Sequence, residues 1–406
     1  MSKTAIGIII AGFLTVFTAF AIRYSYGILL PEMLPALQIT KAEAGMIYAA
    51  YFIAYTIFSP IFGLMADKYN LRLILTIFPA LVCLGTFLMS LSSSLLNSSL
   101  FFALVGLGTA ACWSPVVTMV PRWVSTKRKG MALAFTDLGS SLGLLVWGWI
   151  IPYIVQASSW QTGWTSLAAM ALFATLVNII LVKNYPSDKS GIDQQEANRG
   201  VKEPILTTYG KLLRNNTFWL IGLSYLLIGF SILIPFTFIT IHGIQSLAIP
   251  YQTAKWFLIV VAACGIIGKL ILSHLSDKIG RIKIMIICDL LIAAGGLGMI
   301  YSGDFLTLIL SSAVFGFGYG ALWPVYAAVS GDYFPKAFSG RIIGLWTLYL
   351  GLGSIFAPPL AGWTIDSSGV FGWAFGLTVV SAVISLLLLL PLLSPSSKVR
   401  ETGSLN

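Results

Sequence analysis

The amino-acid sequence predicts an all-α membrane protein of twelve transmembrane helices arranged in two six-helix pseudo-symmetric halves. Three observations carry that expectation: an apolar composition, long apolar runs interrupted once by a polar linker, and an internal repeat. Of the 406 residues, 57% are hydrophobic and 9% charged, against roughly 25% charged in an ordinary soluble domain. Such a chain cannot cover its own surface in water, so the lipid bilayer is its expected solvent. With 24 Lys and Arg, 14 Asp and Glu and 2 His, it lacks the polar inventory of a soluble enzyme or a nucleic-acid binder. No nucleophile, base and orienting group converge, so neither an enzyme nor a nucleic-acid partner is expected. Cys83, Cys112, Cys264 and Cys288 lie within apolar runs without metal-ligand spacing; they read as packing residues, and no cofactor or metal is expected.

At about 20 apolar residues per span, the runs place helices near 5–30, 45–66, 73–93, 97–121, 130–155 and 163–183. A second set falls near 217–242, 252–276, 282–301, 305–331, 341–365 and 371–393. The expected organisation is an N-terminal half (1–183), a polar linker (184–215), a C-terminal half (216–393) and a tail (394–406). The first run is too long for a secretory h-region and no A-x-A-like site follows it, so span 1 is expected to remain in the mature protein. If the N-terminus is cytoplasmic, twenty of the 24 basic residues fall in cytoplasmic segments and only Lys41 and Lys255 lie outside. That bias predicts a multi-pass protein of the cell membrane with both termini and the linker cytoplasmic. Basic loops beside anionic headgroups also account for the net charge of +10.

The repeat is read from matched segments. Gly63-Leu-Met-Ala-Asp67-Lys68 after span 2 recurs as Ser273-His-Leu-Ser-Asp277-Lys278 after span 8, 210 residues on. The same offset relates Gly106, Gly108 and Trp113 in span 4 to Gly316, Gly318 and Trp323 in span 10, and Gly130 and Gly143 to Gly340 and Gly353. Two parallel halves of this kind are a common transporter plan, with the binding site at their interface.

On the Gly63-x-x-Ala-Asp67-Lys68 turn, its copy at Asp277 and Lys278, and the twelve-span layout, the chain resembles the major facilitator superfamily. The resemblance implies the major facilitator fold and a gate at these turns. An Asp there can accept hydrogen bonds at a helix N-terminus and pair with nearby Arg or Lys, latching two helix ends; the alternative is an ordinary charged turn. Three stretches resemble the monocarboxylate and oxalate/formate porter branch. They are Trp123-Val-Ser-Thr-Lys-Arg128-Lys-Gly130-Met-Ala132-x4-Asp137-x-Gly139-x3-Gly143, Gly316-Phe-Gly318-Tyr-Gly320, and Pro358-Pro359-Leu-Ala-Gly362-Trp-x-x-Asp366. The Gly-Pro pair of drug-efflux relatives and the sugar-porter signatures are missing.

Two cations remain within spans: Arg23 in span 1 and Lys269 in span 8. A cation at a helix centre costs roughly 2.5–3.5 kcal/mol on insertion scales, so such residues normally face a cavity. Two of them call for an anion. Lys269 lies eight residues, about 12 Å of helix, before Asp277, and a snorkelling Lys is the other reading. In the porters just named, this position is commonly an Arg that holds the substrate carboxylate; Lys keeps the charge and loses the bidentate fork. Arg23 lies in the outer half of span 1 with Tyr26 on its face; the alternatives are snorkelling outward or pairing with Glu32. Asp137 in span 5, an acid desolvated until a cation approaches, is the candidate proton carrier, the alternative being a structural partner for a nearby cation. It would substitute for the span 8 acid that monocarboxylate porters keep one turn before the cation, where this chain has Gly265. Asp289 in span 9 is expected to be structural, paired with a cytoplasmic Arg or Lys. His242 and His274 read as solvated or capping residues, and Trp113 and Trp323 as candidate cavity aromatics.

The expected function is a secondary transporter of a small organic anion, a monocarboxylate symported with protons, working by alternating access as a monomer. Arg23, Lys269, Tyr26, Trp113 and Trp323 bind the anion, Asp137 exchanges the proton, and Gly63, Asp67, Lys68, Asp277 and Lys278 form the gate. Two alternatives stay open: a dicarboxylate or organophosphate exchanger without proton coupling, and a membrane sensor that binds without transporting.

Overall fold

A computed structural model of the chain describes residues 2–68, 70–125, 128–183, 212–334 and 339–393. The side chains of residues 64, 66–68 and 339–341 lie outside that description, as do most of the expected linker and the whole expected tail. Among the described residues, twelve helices are long and apolar enough to cross a membrane. Spans 1 to 6 are Lys3–Leu37, Lys41–Gly63, Leu71–Ser90, Leu95–Trp123, Lys129–Ala157 and Trp160–Leu181. Spans 7 to 12 are Asn216–Gln245, Tyr251–Ile279, Arg281–Ile300, Phe305–Tyr333, Ile342–Ser368 and Phe371–Leu393. The protein is a multi-pass integral membrane protein, and each apolar run of the sequence is a span.

Short polar residues start these helices by accepting bonds from the first free backbone N–H groups. Ser2, Asn70, Ser159 and Asn215 act in this way, and Ser94 with Asn97 and Asp304 with Thr307 form reciprocal capping boxes. The Thr307 backbone and hydroxyl bonds hold the Asp304 carboxyl below its ordinary range. Spans 8 and 9 are joined through Gly280 at φ 101°, a left-handed conformation in which a side chain would be strained. Span 10 is two helices, Phe305–Gly320 and Leu322–Tyr333, that meet at Ala321. Pro324 lacks an N–H for the carbonyl of Gly320, so one helical hydrogen bond is missing at the break. Outward-facing Leu96, Leu100, Ile180, Leu270 and Trp373 are more than half exposed. An apolar belt of this kind suits lipid.

Within the first half, span 1 packs on spans 5 and 6, span 4 on spans 2 and 3, and span 3 on span 6. Within the second, span 7 packs on spans 11 and 12, span 10 on spans 8 and 9, and span 9 on span 12. The repeat extends to individual contacts. A Cβ on Gly106 would strike the carbonyl of Tyr51, and one on Gly316 that of Val261; Gly108 and Gly318 face the carbonyls of Phe78 and Cys288. Each of these partners lies 210 residues from its equivalent. In spans 1 and 7 the register slips by one residue: Gly143 meets the carbonyl of Phe17, and Gly353 that of Leu226.

The halves meet through spans 2 and 11, 5 and 8, and 1 and 7. The membrane face that carries Lys3, Arg122, Lys129 and Lys283 is here called the basic face. Among the described residues, the close contacts between halves run from mid-membrane to the opposite face. Gly45 touches Pro358, Gly362 touches Lys41, and Gly27 touches Phe236. Asp366 at the end of span 11 accepts backbone bonds from Ala42 (2.8 Å) and Lys41 (3.3 Å) at the start of span 2, and pairs with the Lys41 Nζ at 3.8 Å. On the other edge, Lys255 of span 8 lies over the Tyr153 ring of span 5 at 3.7 Å, and Gln252 donates to the carbonyl of Pro152. The seam is closed on that face.

Candidate anion site between the halves

Arg23 is 7% exposed, and among the described residues it makes no ion pair. Its Nε donates to the Tyr51 hydroxyl at 2.8 Å, which itself accepts from Thr109 Oγ1 at 2.7 Å. The guanidinium lies 4.8 Å from the Phe20 ring centroid, 4.6 Å from Tyr55, 5.3 Å from Tyr51 and 5.5 Å from Phe52. Each such contact is worth about 0.5–2 kcal/mol, which offsets part of the several kcal/mol that desolvating a cation costs. Tyr48 holds the helix from behind by donating to the Arg23 carbonyl at 3.0 Å. A cleft runs from Arg23 toward the basic face, lined by Val16, Phe20, Tyr55, Thr109, Cys112 and Trp113. Its free space holds about one water-sized sphere.

Tyr24, next to Arg23, reaches the other half. Its hydroxyl is 2.7 Å from that of Tyr319 in span 10, and its ring stacks on Phe236 at 4.3 Å. Tyr319 lies against Gly265, one turn before Lys269, and at right angles to Trp323. The Trp323 indole N–H is buried without an acceptor. Lys269 Nζ stands 2.7 Å from Asp137 Oδ2, with the two side chains 12% and 25% exposed, and 3.4 Å from Ser140 Oγ. This ion pair joins span 5 to span 8 across the halves. The arrangement therefore holds one cation with no counter-ion, one cation already neutralised by an acid, and a free indole donor.

The Major Facilitator Superfamily model matches residues 12–254 and 244–404. The chain belongs to the Major Facilitator Superfamily. It is a membrane transporter by family and not an enzyme. It is 24% identical to the "Hexuronate transporter" of Bacillus subtilis (strain 168), over 97% of this chain and 96% of that protein. It is 23% identical to "Monocarboxylate transporter 12" of Xenopus laevis, over 82% and 76%. Among solved structures it resembles an inward-facing, unoccupied bacterial homolog of the human lysosomal transporter Spinster, with a TM-score of 0.78, 14% identity and 99% of both chains covered. The superfamily fold read from the sequence is the fold of the structure.

Within this fold, Arg23, Trp113, Trp323, Lys269 and Asp137 lie around the middle of the interface. Tyr26 does not join them: its hydroxyl donates to the Ala44 carbonyl at 2.7 Å, and its ring packs on Tyr48 and Phe102. Arg23 does not pair with Glu32, and Lys269 reaches Asp137 rather than snorkelling to the membrane surface. Asp289 has no Arg or Lys beside it among the described residues; its Oδ2 lies 2.7 Å from Ser385 Oγ. Of the gate turns, the Asp67 and Lys68 side chains lie outside the described residues, and Gly63 faces Ser114. Asp277 pairs with Arg281 at 2.7 Å, which also bonds Asp332 at 3.0 Å; this clasp ties spans 8, 9 and 10 within one half, while Lys278 is exposed. Sequence reasoning did not find Tyr51, Tyr55, Thr109, Tyr24, Tyr319 or Ser140. The signals were Tyr51 and Tyr55 one helical turn apart, and a tyrosine inside the Gly316–Gly320 motif.

Proposed function

We propose that the protein is a secondary transporter of a small organic anion, a monocarboxylate carried with a proton by alternating access. The observation that supports this most is the buried Arg23, without a counter-ion among the described residues, next to the Tyr24–Tyr319 bond that leads toward the Asp137–Lys269 pair. Arg23 supplies a desolvated positive site with free N–H groups, which a carboxylate complements. Lys269 is unavailable to an anion while Asp137 is charged. A proton arriving on Asp137 gives the neutral acid and frees Lys269, so proton and anion enter together without adding net charge to the cavity. Tyr24, Tyr319 and the Trp323 N–H offer neutral donors between the two cations. The basic face is the cytoplasmic one by the positive-inside bias. On that reading both ends of the described chain lie in the cytoplasm, the cleft opens inward, and the protein works in the cell membrane as a monomer.

A second reading, a dicarboxylate or organophosphate exchanger, draws on the presence of two cations; Asp137 and Lys269 would then remain paired for structural reasons. A non-transporting sensor is a third. Counterflow and net uptake of labelled monocarboxylates, dicarboxylates, organophosphates and sugar acids into proteoliposomes, with and without an inward proton gradient, separate these. Accumulation of a monocarboxylate driven by the gradient is the expected result. Exchange indifferent to pH favours the exchanger, and saturable binding without flux favours the sensor.

A further inference from the structure

Away from the anion site, the second half contains a polar cluster that the transport reading does not use. Asp289 of span 9 is 0% exposed. Its Oδ2 lies 2.7 Å from Ser385 Oγ of span 12, and that hydroxyl is 2.8 Å from Ser224 Oγ of span 7, itself 2.5 Å from the Tyr326 hydroxyl of span 10. Asp289 Oδ1 is buried with no hydrogen-bond partner. Its titratable neighbours are Tyr326 from span 10, beyond it Tyr225 from span 7, and Cys288 on its own helix; span 12 contributes only hydroxyls. No cation lies within ion-pair distance among the described residues. A carboxylate anion here would have one hydroxyl donor for a full charge in a low-dielectric interior, an arrangement that buried charges do not tolerate.

In the first half the corresponding three-span joint is held by a neutral group, which comes from span 6 rather than from span 3. Asn178 of span 6 donates from Nδ2 to Thr15 Oγ1 of span 1 at 2.8 Å and to the Leu75 carbonyl of span 3 at 2.9 Å, while its Oδ1 is buried without a partner. Spans 6, 1 and 3 are the pseudo-equivalents of spans 12, 7 and 9. Thr15 and Ser224 are related by the same one-residue slip seen between spans 1 and 7. Both joints carry one donating group and one unpaired carbonyl-type oxygen.

We propose that Asp289 is a proton-binding site of the second half: its carboxyl is held as the neutral acid, which keeps its proton on Oδ2 and donates a hydrogen bond to Ser385, whose hydroxyl in turn joins the hydrogen-bonded chain to Ser224 and Tyr326. In that form Ser385 accepts from Asp289 and donates onward, and Oδ1 is an under-satisfied carbonyl oxygen, the milder of the possible deficits. The oxygens follow one another in a line rather than converging on a centre, which suits a proton and not a coordinated alkali cation. The proton makes spans 7, 9, 10 and 12 one hydrogen-bonded joint.

Infrared difference spectroscopy of the purified transporter in lipid, at neutral pH and in sodium-free buffer, tests this. The expected result is a protonated-carboxyl carbonyl band that is absent in Asp289→Asn, present in Asp137→Asn, and shifted in frequency in Ser385→Ala, which keeps the acid but removes its acceptor. Asp289→Asn, with a neutral group of the same shape, should retain counterflow. Absence of the band in the wild-type protein overturns the proposal, as does a band that disappears on adding sodium, which would identify a cation site. A band unchanged by Ser385→Ala also overturns it, because the proton would then not lie on the hydroxyl chain.

Discussion

Removing either partner of the Asp137–Lys269 pair, and then both, separates the structural work of the pair from its work on substrate. At 2.7 Å and an effective dielectric of about 20, the direct attraction is on the order of 6 kcal/mol. Part of that is cancelled by desolvation, and removing one partner of a buried pair typically costs about 3–5 kcal/mol because the other is stranded. Lys269→Gln should therefore lower thermal stability in detergent and abolish anion binding, since the stranded carboxylate repels the anion. Asp137→Asn should also melt lower than wild type, yet regain stability when the anion is added, because the freed Lys269 then has a partner. It should keep counterflow, which needs no net proton movement, and lose proton-driven accumulation. The double variant should be about as stable as either single variant rather than losing twice as much, a coupling energy of roughly 3–5 kcal/mol, and should still fail to bind. Melting curves of the four proteins with and without anion, together with counterflow and gradient-driven uptake, measure every term. A double variant that accumulates anion at the wild-type level would refute the assignment, and additive destabilisation would refute the coupling.

Arg23→Gln removes the unpaired charge and should weaken anion binding about 100-fold, the equivalent of roughly 3 kcal/mol for a charge-assisted bond, as measured by anion-dependent melting. Trp323→Phe keeps the ring and removes the unused N–H. It should cost about tenfold in affinity, near 1.4 kcal/mol, with counterflow otherwise intact; unchanged affinity would place the indole outside the site. Gly320→Ala forces a Cβ into the Gly265 carbonyl and should destabilise by about 1–3 kcal/mol through overpacking, whereas Gly130→Ala meets nothing within 4 Å and should be silent in the same melts. Asp366→Ala removes the cap on span 2, worth about 0.5–2 kcal/mol. It should raise the labelling rate of a Thr56→Cys variant, cysteine-free elsewhere, from the face opposite the basic one by about 2- to 30-fold.

The fold was legible because a bilayer imposes two demands that composition cannot hide: length of apolar run and placement of Lys and Arg. The repeat was legible because close helix approach requires glycine at Gly106, Gly108, Gly316 and Gly318, whichever side chains surround it. The charges of the site also stood out, since Arg23, Asp137 and Lys269 are costly inside a membrane. Their partners did not. Asp137 and Lys269 are 132 residues apart and meet only when the halves close, and Tyr51 and Tyr55 are two of 16 tyrosines, ordinary in an apolar span. Tyr26 was placed by its three-residue spacing from Arg23, but the opposite half lies toward Tyr24. Asp289 was given a basic partner on charge grounds, where the interior supplies only hydroxyls.

The closed seam has a kinetic meaning. At Gly27, Gly45 and Gly362 the halves touch backbone to backbone, so at these points no side-chain knob is interlocked. Surfaces of that kind part without first undoing rotamers, so little activation barrier comes from interlocking. What holds the face shut is a handful of directional groups: the Asp366 cap with Lys41, the Lys255 cation on Tyr153, and the Gln252 amide on Pro152. Each is worth on the order of 1 kcal/mol. Their sum leaves the open state only a few kcal/mol away, a gap at which minor conformers are populated at roughly 0.1–10%. A cycle that exposes its cavity first to one side and then to the other runs on such near-degeneracy, and here a few replaceable side chains, Asp366, Lys41, Lys255 and Gln252 among them, help to set it.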